Sequence, residues 1–158
     1  MIDTDVLLLS FAFQSDKRQA VNTAFLDQVR RAEPALTVYN LMELLGQLSF
    51  NLSPAKLDRW QSWLIDAYQL AVIWPADLEA SSAALFFRAE IHERPFAKMR
   101  AQRMAFMDSL VLGLAERTPG VKHVVTWNAR HFQGKSTLSV LTPEEYLNSS
   151  VAGRSAAT

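Results

Sequence analysis

The sequence predicts an α/β fold with a parallel sheet. Short apolar segments alternate with longer segments of helical periodicity along the 158 residues, and this alternation favours parallel pairing through right-handed crossovers. The length suits one domain with a full core, and 49% hydrophobic with 20% charged residues is typical of a globular protein. Ligands bind such sheets at the carboxyl ends of the strands, so polar residues predicted there are the candidates for function.

The elements of the first half follow from the apolar pattern and the capping residues. Ile2 and Val6 are β-branched and three leucines follow Val6, which is typical of a buried parallel strand. Ser15 and Ser53 are candidate N-caps, and Ser53 is followed by a proline suited to a first helical turn. The predicted elements are a strand over 2–8, a helix over 15–31, a strand over 35–38 and helices over 39–50 and 53–68.

The second half continues the alternation. Asp77 is a candidate helix cap, and Thr142 precedes a proline and two glutamates, which indicates a capped helix start. The predicted elements are a strand over 70–74, a helix over 77–91, an irregular segment over 92–100, a helix over 102–117, strands over 123–126 and 138–141, and a short helix from 142. One domain is expected over 1–147, and the small, polar residues 148–158 are expected to form a disordered tail.

Composition excludes several classes of function. The chain has no cysteine, which rules out disulfides, thiolate zinc sites and cysteine nucleophiles and fits a cytoplasmic protein. No apolar run reaches the roughly 18 residues that span a bilayer. The N-terminus does not resemble a secretory signal, because Asp3 and Asp5 stand where such a signal is basic. The 16 basic and 16 acidic residues give zero formal charge, which argues against a large non-specific nucleic-acid binder. Gly-rich phosphate loops and nucleophile elbows are absent from the sequence.

Three carboxylates occupy positions where a charge is costly. Asp3 lies on the first predicted strand, and Glu43 and Asp108 lie in apolar helical segments. Each has an ordinary explanation: a turn cap for Asp3, and exposed helix positions for Glu43 and Asp108. Together they suit Mg²⁺ or Mn²⁺, which prefer hard oxygen ligands, activate water and neutralise charge on a phosphoryl group.

A local basic patch has two interpretations. It could bind nucleic acid, or it could be a solvated loop and helix face, and the sequence leaves both open. Its basic residues are His92, Arg94, Lys98, Arg100 and Arg103, interleaved with Phe96 and Met99.

Four segments, in order, resemble motifs of the PIN-domain nucleases. These are Asp3-Thr4-Asp5-Val6-Leu7-Leu8, Glu43-Leu44, Met107-Asp108-Ser109-Leu110-Val111-Leu112 and Val124-Val125-Thr126-Trp127-Asn128-Ala129-Arg130-His131-Phe132. The resemblance covers about residues 1–147. It implies a three-layer α/β/α sandwich with about five parallel strands, and Mg²⁺- or Mn²⁺-dependent hydrolysis of RNA phosphodiester bonds. Short single-domain members are commonly VapC-type toxins of type II toxin–antitoxin modules.

The resemblance also implies residue roles. Asp3, Glu43 and Asp108 would be catalytic metal ligands. Asn128 stands where many members carry a fourth acid. The resemblance therefore leaves open whether one metal ion or two would bind. Thr126 would orient a carboxylate, or be an ordinary strand-end threonine.

Two further positions have weaker implied roles. Asp5 would support the metal ligands, or cap a turn. Arg130 could contact RNA phosphate, and His131 could do so or lie solvated on a loop.

Partners follow from the same resemblance. It implies a small antitoxin whose C-terminal segment plugs the acidic site, and a homodimer that uses apolar faces near Trp60, Trp63, Leu85 and Phe86. The alternative is a PIN-fold binding module without catalysis, acting through protein or RNA contacts. Its main support is Asn128 in place of an acid.

Overall fold

The computed structural model describes residues 1–76 and 82–155, with side chains through residue 149. Asp77, the predicted helix cap, lies outside the described residues. The helices are α1 (Thr4–Ala12), α2 (Gln19–Val29), α3 (Val38–Ser49), α4 (Pro54–Tyr68), α5 (Ala83–Arg88), α6 (Arg94–Gln102), α7 (Phe106–Arg117), α8 (Ala129–Phe132) and α9 (Pro143–Ser155), with a π-helical turn over Ala89–Glu93. The strands are β1 (Ala35–Thr37), β2 (Ala71–Ile73), β3 (His123–Val125) and β4 (Ser139–Leu141).

The strands are short and parallel, as the alternation predicted. β1 pairs with β2, and β3 pairs with β4. The start of the chain lies between these pairs: Ile2 bridges Val125, and its N–H donates to the carbonyl of Ala35 at 2.7 Å. The described residues therefore form an α/β protein with two parallel pairs joined through one bridge, and a five-stranded sheet is not shown among them.

The predicted strand over 2–8 is wrong beyond its first residue. α1 begins at Thr4, and Asp3 caps it in extended conformation by accepting the N–H of Thr4 at 2.8 Å. A short continuous apolar run fits a buried helix as well as a buried strand, so periodicity alone does not separate them. The acidic cap decides in favour of the helix, and Val6, Leu7 and Leu9 are buried on it.

Other helix boundaries differ from prediction for local reasons. α2 begins at Gln19 rather than at Ser15, because Asp16 accepts the backbone N–H and the guanidinium of Arg18 and forms a turn first. Residues 92–100, predicted to be irregular, are helical in the π-turn and α6. Arg103 then adopts a left-handed conformation with φ of 51°, which delays α7 to Phe106.

The predictions for α3, α4 and the final helix start are confirmed. Thr142 and Glu145 exchange backbone-to-side-chain hydrogen bonds at the start of α9, which is a capping box. α9 then continues to Ser155, inside the segment that was expected to be a disordered tail. Tyr146 packs against the main core and anchors the first turns of this helix.

Two apolar clusters hold the layers together. The larger joins α1, α2, α3 and α4 to the strands through fully buried side chains such as Val6, Phe25 and Leu44. The smaller consists of Leu112, Val124 and Phe132 and holds α7 and α8 against β3. Within the part of the chain that the structure describes, no helix combines the length and hydropathy needed to cross a membrane.

Candidate acidic site at the carboxyl ends of the strands

The carboxyl ends of three parallel segments meet at one edge of the fold. Asp3 follows the bridge at Ile2, Thr37 ends β1, and Thr126 follows β3. Parallel pairing brings these ends together, as the position of ligand sites in such sheets predicts. α1 and α3 begin at this edge, so the residues of their first turns complete the site.

Asp3 is oriented by a buried amide. Asn40 donates from Nδ2 to Oδ1 of Asp3 at 2.9 Å. Asn40 is itself held by Thr37, whose hydroxyl donates to Oδ1 of Asn40 at 2.7 Å in a capping box. Sequence reasoning missed Asn40, although a polar residue three positions after Thr37 is the signal of such a box.

Glu43 is tied to the first turn of α1. The hydroxyl of Thr4 donates to Oε2 of Glu43 at 2.6 Å. Thr4 is 4% exposed and also lies 3.2 Å from Nδ2 of Asn40. Asp3 and Glu43 are therefore linked through two neutral side chains, Thr4 and Asn40.

Asp5 is held from β3. Its Oδ2 accepts the hydroxyl of Thr126 at 3.0 Å, and its Oδ1 accepts the backbone N–H of Trp127 at 3.2 Å. Thr126 also accepts the N–H of Asn128 at 3.0 Å, which fixes the start of α8. Trp127 is anchored in turn, because its indole N–H donates to Asn22 at 2.7 Å. The predicted orienting threonine thus contacts a carboxylate, and that carboxylate is Asp5.

Burial and neighbouring acids oppose the ionisation of Asp3. Burial, then the charge of Asp5, and more weakly that of Glu43, raise the pKa of Asp3 to about 7, against the lowering effect of hydrogen bonds from Thr126 and Thr4. Burial also raises the pKa of Asp5, against hydrogen bonds from Trp127 and Thr126. Neutral donors orient these carboxylates but supply no opposite charge. A bound cation would supply it and so favour their ionised form.

Asp108 has basic residues as its charged neighbours, whereas Asp3 has acidic ones. It sits in the first turn of α7, and α7 packs beside α3 and β1. Burial raises the pKa of Asp108, while the positive charges of His131 and Lys135 lower it. Lys135 was not among the predicted residues, and the sequence gives no signal for it because its proximity depends on the packing of α8.

The donor set fits a hard cation in its chemistry. Asp3, Asp5, Glu43 and Asp108 offer only oxygen, the donor type that Mg²⁺ and Mn²⁺ prefer. The hydrogen bonds to Asn40 and Thr4 use Oδ1 of Asp3 and Oε2 of Glu43, so they leave the second oxygen of each carboxylate for other contacts. Across 1–76 and 82–155, three or more histidine, aspartate or glutamate side chains do not converge in a group that could hold a metal ion. As placed in the described residues, these carboxylates therefore do not by themselves form a complete metal site.

The predicted basic patch divides into two kinds of residue. Arg94 pairs with Glu90 at 2.9 Å, and Lys98 pairs with Glu116 at 2.6 Å. These two cations are committed to ion pairs within the fold. The other members, His92, Arg100 and Arg103, are exposed. Arg130, predicted separately as a phosphate contact, is exposed as well.

Comparison with known proteins adds no family. No family model matches the chain, and no curated protein matches it in sequence. Inference about function therefore depends on the motifs of the sequence and on the geometry of the acidic site.

Proposed function

We propose that the protein is a metal-dependent endoribonuclease of PIN-like type that hydrolyses RNA phosphodiester bonds. The observation that carries the proposal is the cluster of Asp3, Asp5 and Glu43 at the carboxyl edge of the strands, oriented by neutral donors. A cluster of like charges without a cation is unfavourable for folding alone, so its placement at the usual ligand edge favours a function that brings a cation.

In this proposal Asp3, Glu43 and Asp108 would hold Mg²⁺ or Mn²⁺. Thr4 and Asn40 join Asp3 to Glu43 in the structure, and Asp108 is included because the family resemblance implies it. When bound, such a cation supplies an activated water and offsets the charge that develops on a phosphoryl group. Asn128, at the start of α8, would bring an amide oxygen in place of a fourth acid. An amide adds no negative charge, so we propose one tightly held metal ion rather than two.

The other residues of the site have supporting roles in this proposal. Asn40 and Thr4 hold Asp3 and Glu43 in fixed orientation through bonds of 2.9 and 2.6 Å. Thr126 and the N–H of Trp127 keep Asp5 turned toward β3. Rigid placement matters because a small misplacement of a reacting group costs a large factor in rate.

The wider proposal is a VapC-type toxin with a three-layer sandwich of about five strands. It includes a small antitoxin whose arginine or lysine would neutralise the acids much as a metal does. It also includes a homodimer, for which exposed apolar side chains on α3 and α4 are available. Met42 is 60% exposed and Trp63 is 47% exposed. Of the faces predicted from sequence, Leu85 is exposed, while Trp60 and Phe86 are partly buried.

The decisive experiment is cleavage of a pool of structured RNAs with Mg²⁺, Mn²⁺ or EDTA. We expect metal-dependent cutting by the wild type, and a loss of at least about 100-fold in Asp3→Asn and Asp108→Asn, because each removes a charge directed at the cation. Asp58→Asn is the matched control, since Asp58 is an exposed aspartate on α4. Circular dichroism would establish that each variant is folded. Full activity in both Asp3→Asn and Asp108→Asn would rule the proposal out.

A second candidate is a binding module of the same fold without catalysis. Asn128 at the fourth position favours it, because the site then lacks one of the usual charges. This candidate predicts that folded wild-type protein cuts no RNA with either metal, while RNA or protein binding survives Asp3→Asn.

A further inference from the structure

α8 is fixed beside the first half of α7. Phe132 is 2% exposed and packs with Leu112 and Val124 in the smaller core cluster. Leu112 lies four residues after Asp108, so both belong to one face of α7, one turn apart. The packing of Phe132 therefore brings the exposed His131 next to it into the neighbourhood of Asp108.

Lys135 reaches the same place from the turn after α8. Its N–H donates to the carbonyl of Phe132 at 3.0 Å, and Gly134 permits the turn with φ of 72°. Its ammonium donates to the carbonyl of Arg103 at 3.2 Å, in the connection that leads into α7. The lysine thus spans from α8 to a backbone position five residues before Asp108. Both positive charges are near enough to lower the pKa of Asp108.

Lys135 and His131 differ from the ion-paired residues of the predicted patch. Glu90 and Glu116 neutralise Arg94 and Lys98 in direct ion pairs. The carbonyl that Lys135 contacts is neutral, so the contact orients the ammonium without cancelling its charge. His131 is exposed at the end of a short helix. Positive charge beside Asp108 that is not held in a direct ion pair is what a polyanion needs in order to approach that carboxylate.

We propose that Lys135 and His131 bind a backbone phosphate of the RNA beside Asp108, next to the bond that is cut. The proposal rests on the proposed nuclease function. Asp3, Asp5 and Glu43 repel a polyanion, so a phosphate contact is needed on the rim of the site. Phosphate contacts position nucleic acid without reading its sequence, so this contact sets register and affinity rather than target choice.

The test is binding of a short fluorescent single-stranded RNA, followed by anisotropy over a range of salt concentrations. EDTA in one series and Ca²⁺ in another separate binding from Mg²⁺-dependent cleavage. We expect Lys135→Gln to weaken binding by about 3- to 10-fold and to lower the log–log salt slope by about one, as loss of one phosphate contact does. The double variant with His131→Gln should bind more weakly still.

Two matched variants control for charge and for structure. Lys56→Gln removes an exposed lysine on α4 and should leave binding unchanged. Lys135→Arg keeps the charge and should restore most of the affinity, which a purely structural role of the bond to Arg103 would not require. Melting temperatures of all variants report any loss of folding.

The outcomes separate this inference from the nuclease proposal. If the double variant binds RNA as tightly and with the same salt slope as Lys56→Gln, the phosphate contact is wrong, whether or not the protein cuts. If wild type binds no RNA in either series, the contact is also wrong. If the double variant loses affinity but wild type never cuts with Mg²⁺ or Mn²⁺, the contact stands and the nuclease proposal fails.

Discussion

Two carboxylates in this protein, the buried Glu90 and the half-buried Asp3, are held in opposite ways. Glu90, 3% exposed, accepts from Arg117 at 2.6 and 2.8 Å, from Arg94 at 2.9 Å and from the hydroxyl of Tyr39 at 2.8 Å. Asp3, in contrast, accepts from the amide of Asn40 and the backbone N–H of Thr4. The first carboxylate is neutralised by the chain's own cations. The second is oriented by neutral donors, and its charge is not balanced by a cation of the chain.

This difference separates a structural group from a functional one. A buried acid with two guanidinium partners has its electrostatic requirements met within the fold. An acid that is oriented by neutral donors beside two other acids gains from a ligand of opposite charge. Burial alone does not distinguish these cases, and the charge of the donors does.

The largest expected effect follows removal of the charge on Glu90. Glu90→Gln removes the carboxylate that Arg94 and Arg117 share, and we expect a loss of about 3 kcal/mol in unfolding free energy. Both arginine side chains are 35% exposed and gain some hydration, which keeps the loss below that of a fully buried pair. Urea denaturation measures it. Glu93→Gln is the matched control, because Glu93 pairs with Arg88 at an exposed site and should cost almost nothing. Equal losses in the two variants would contradict the structural role.

Removing the charge of Asp3 should stabilise the protein, whereas removing that of Glu90 should destabilise it. The pKa of Asp3 is about 7 in the folded protein and near its ordinary 3.8 in the unfolded chain. Between these values the unfolded chain binds fewer protons at Asp3, so stability falls as pH rises from about 4 to 7. Asp3→Asn removes this dependence while an amide oxygen still caps α1. Each pKa unit is worth about 1.4 kcal/mol, so we expect the variant to exceed wild type by at least about 2 kcal/mol at pH 8 and to match it near pH 4.

Denaturation curves in EDTA at several pH values measure this effect. Asp58→Asn, at an exposed position of α4, serves as the control and should follow the wild-type curve. A wild-type stability that rises steadily from pH 4 to 8, unchanged in slope by Asp3→Asn, would contradict the electrostatic account of the site.

A divalent cation should stabilise the protein through the site of Asp3 and not through that of Glu90. At ten times its dissociation constant, Mg²⁺ should stabilise wild type by about 1.4 kcal/mol at pH 8. This corresponds to an increase of about 3–6 °C in melting temperature for a protein of this size. Glu90→Gln should keep the increase, because its site already has cations, whereas Asp3→Asn should lose it. An equal increase in both variants would place the cation elsewhere.

The sequence predicted the parts of this arrangement that depend on local pattern. β1 to β4, α3, α4 and the capped start of α9 follow from apolar runs, prolines and capping residues. The carboxylates were found because a charge in an apolar segment is conspicuous. α1 was mistaken for a strand because its apolar run has no clear period, and only the cap at Asp3 distinguishes the two.

The hydrogen-bond donors to these carboxylates could not be predicted from local sequence patterns. Asn40 lies 37 residues from Asp3, and Thr126 lies 121 residues from Asp5. Glu90 joins Tyr39 and Arg117, which are distant in sequence in both directions. Such pairs exist only after the elements pack, and one sequence gives no signal of which polar residues meet. The function of Arg94 and Lys98 was ambiguous for the same reason, since their anionic partners decide it.

The smallest expected effect concerns the donor to Asp5. Thr126 is fully buried, donates to Asp5 and accepts from the N–H of Asn128. Thr126→Val keeps the shape but removes the hydroxyl, and we expect a loss of about 1 kcal/mol. The hydrogen bond lowers the pKa of Asp5, so its contribution is present when Asp5 is ionised and fades as pH falls. The loss should therefore be larger at pH 8 than at pH 4, as thermal denaturation in EDTA can show. Thr126→Ser keeps the hydroxyl and should retain the wild-type pH dependence. If the valine and serine variants lose the same stability at both pH values, the hydroxyl does not orient Asp5 and the effect is one of packing.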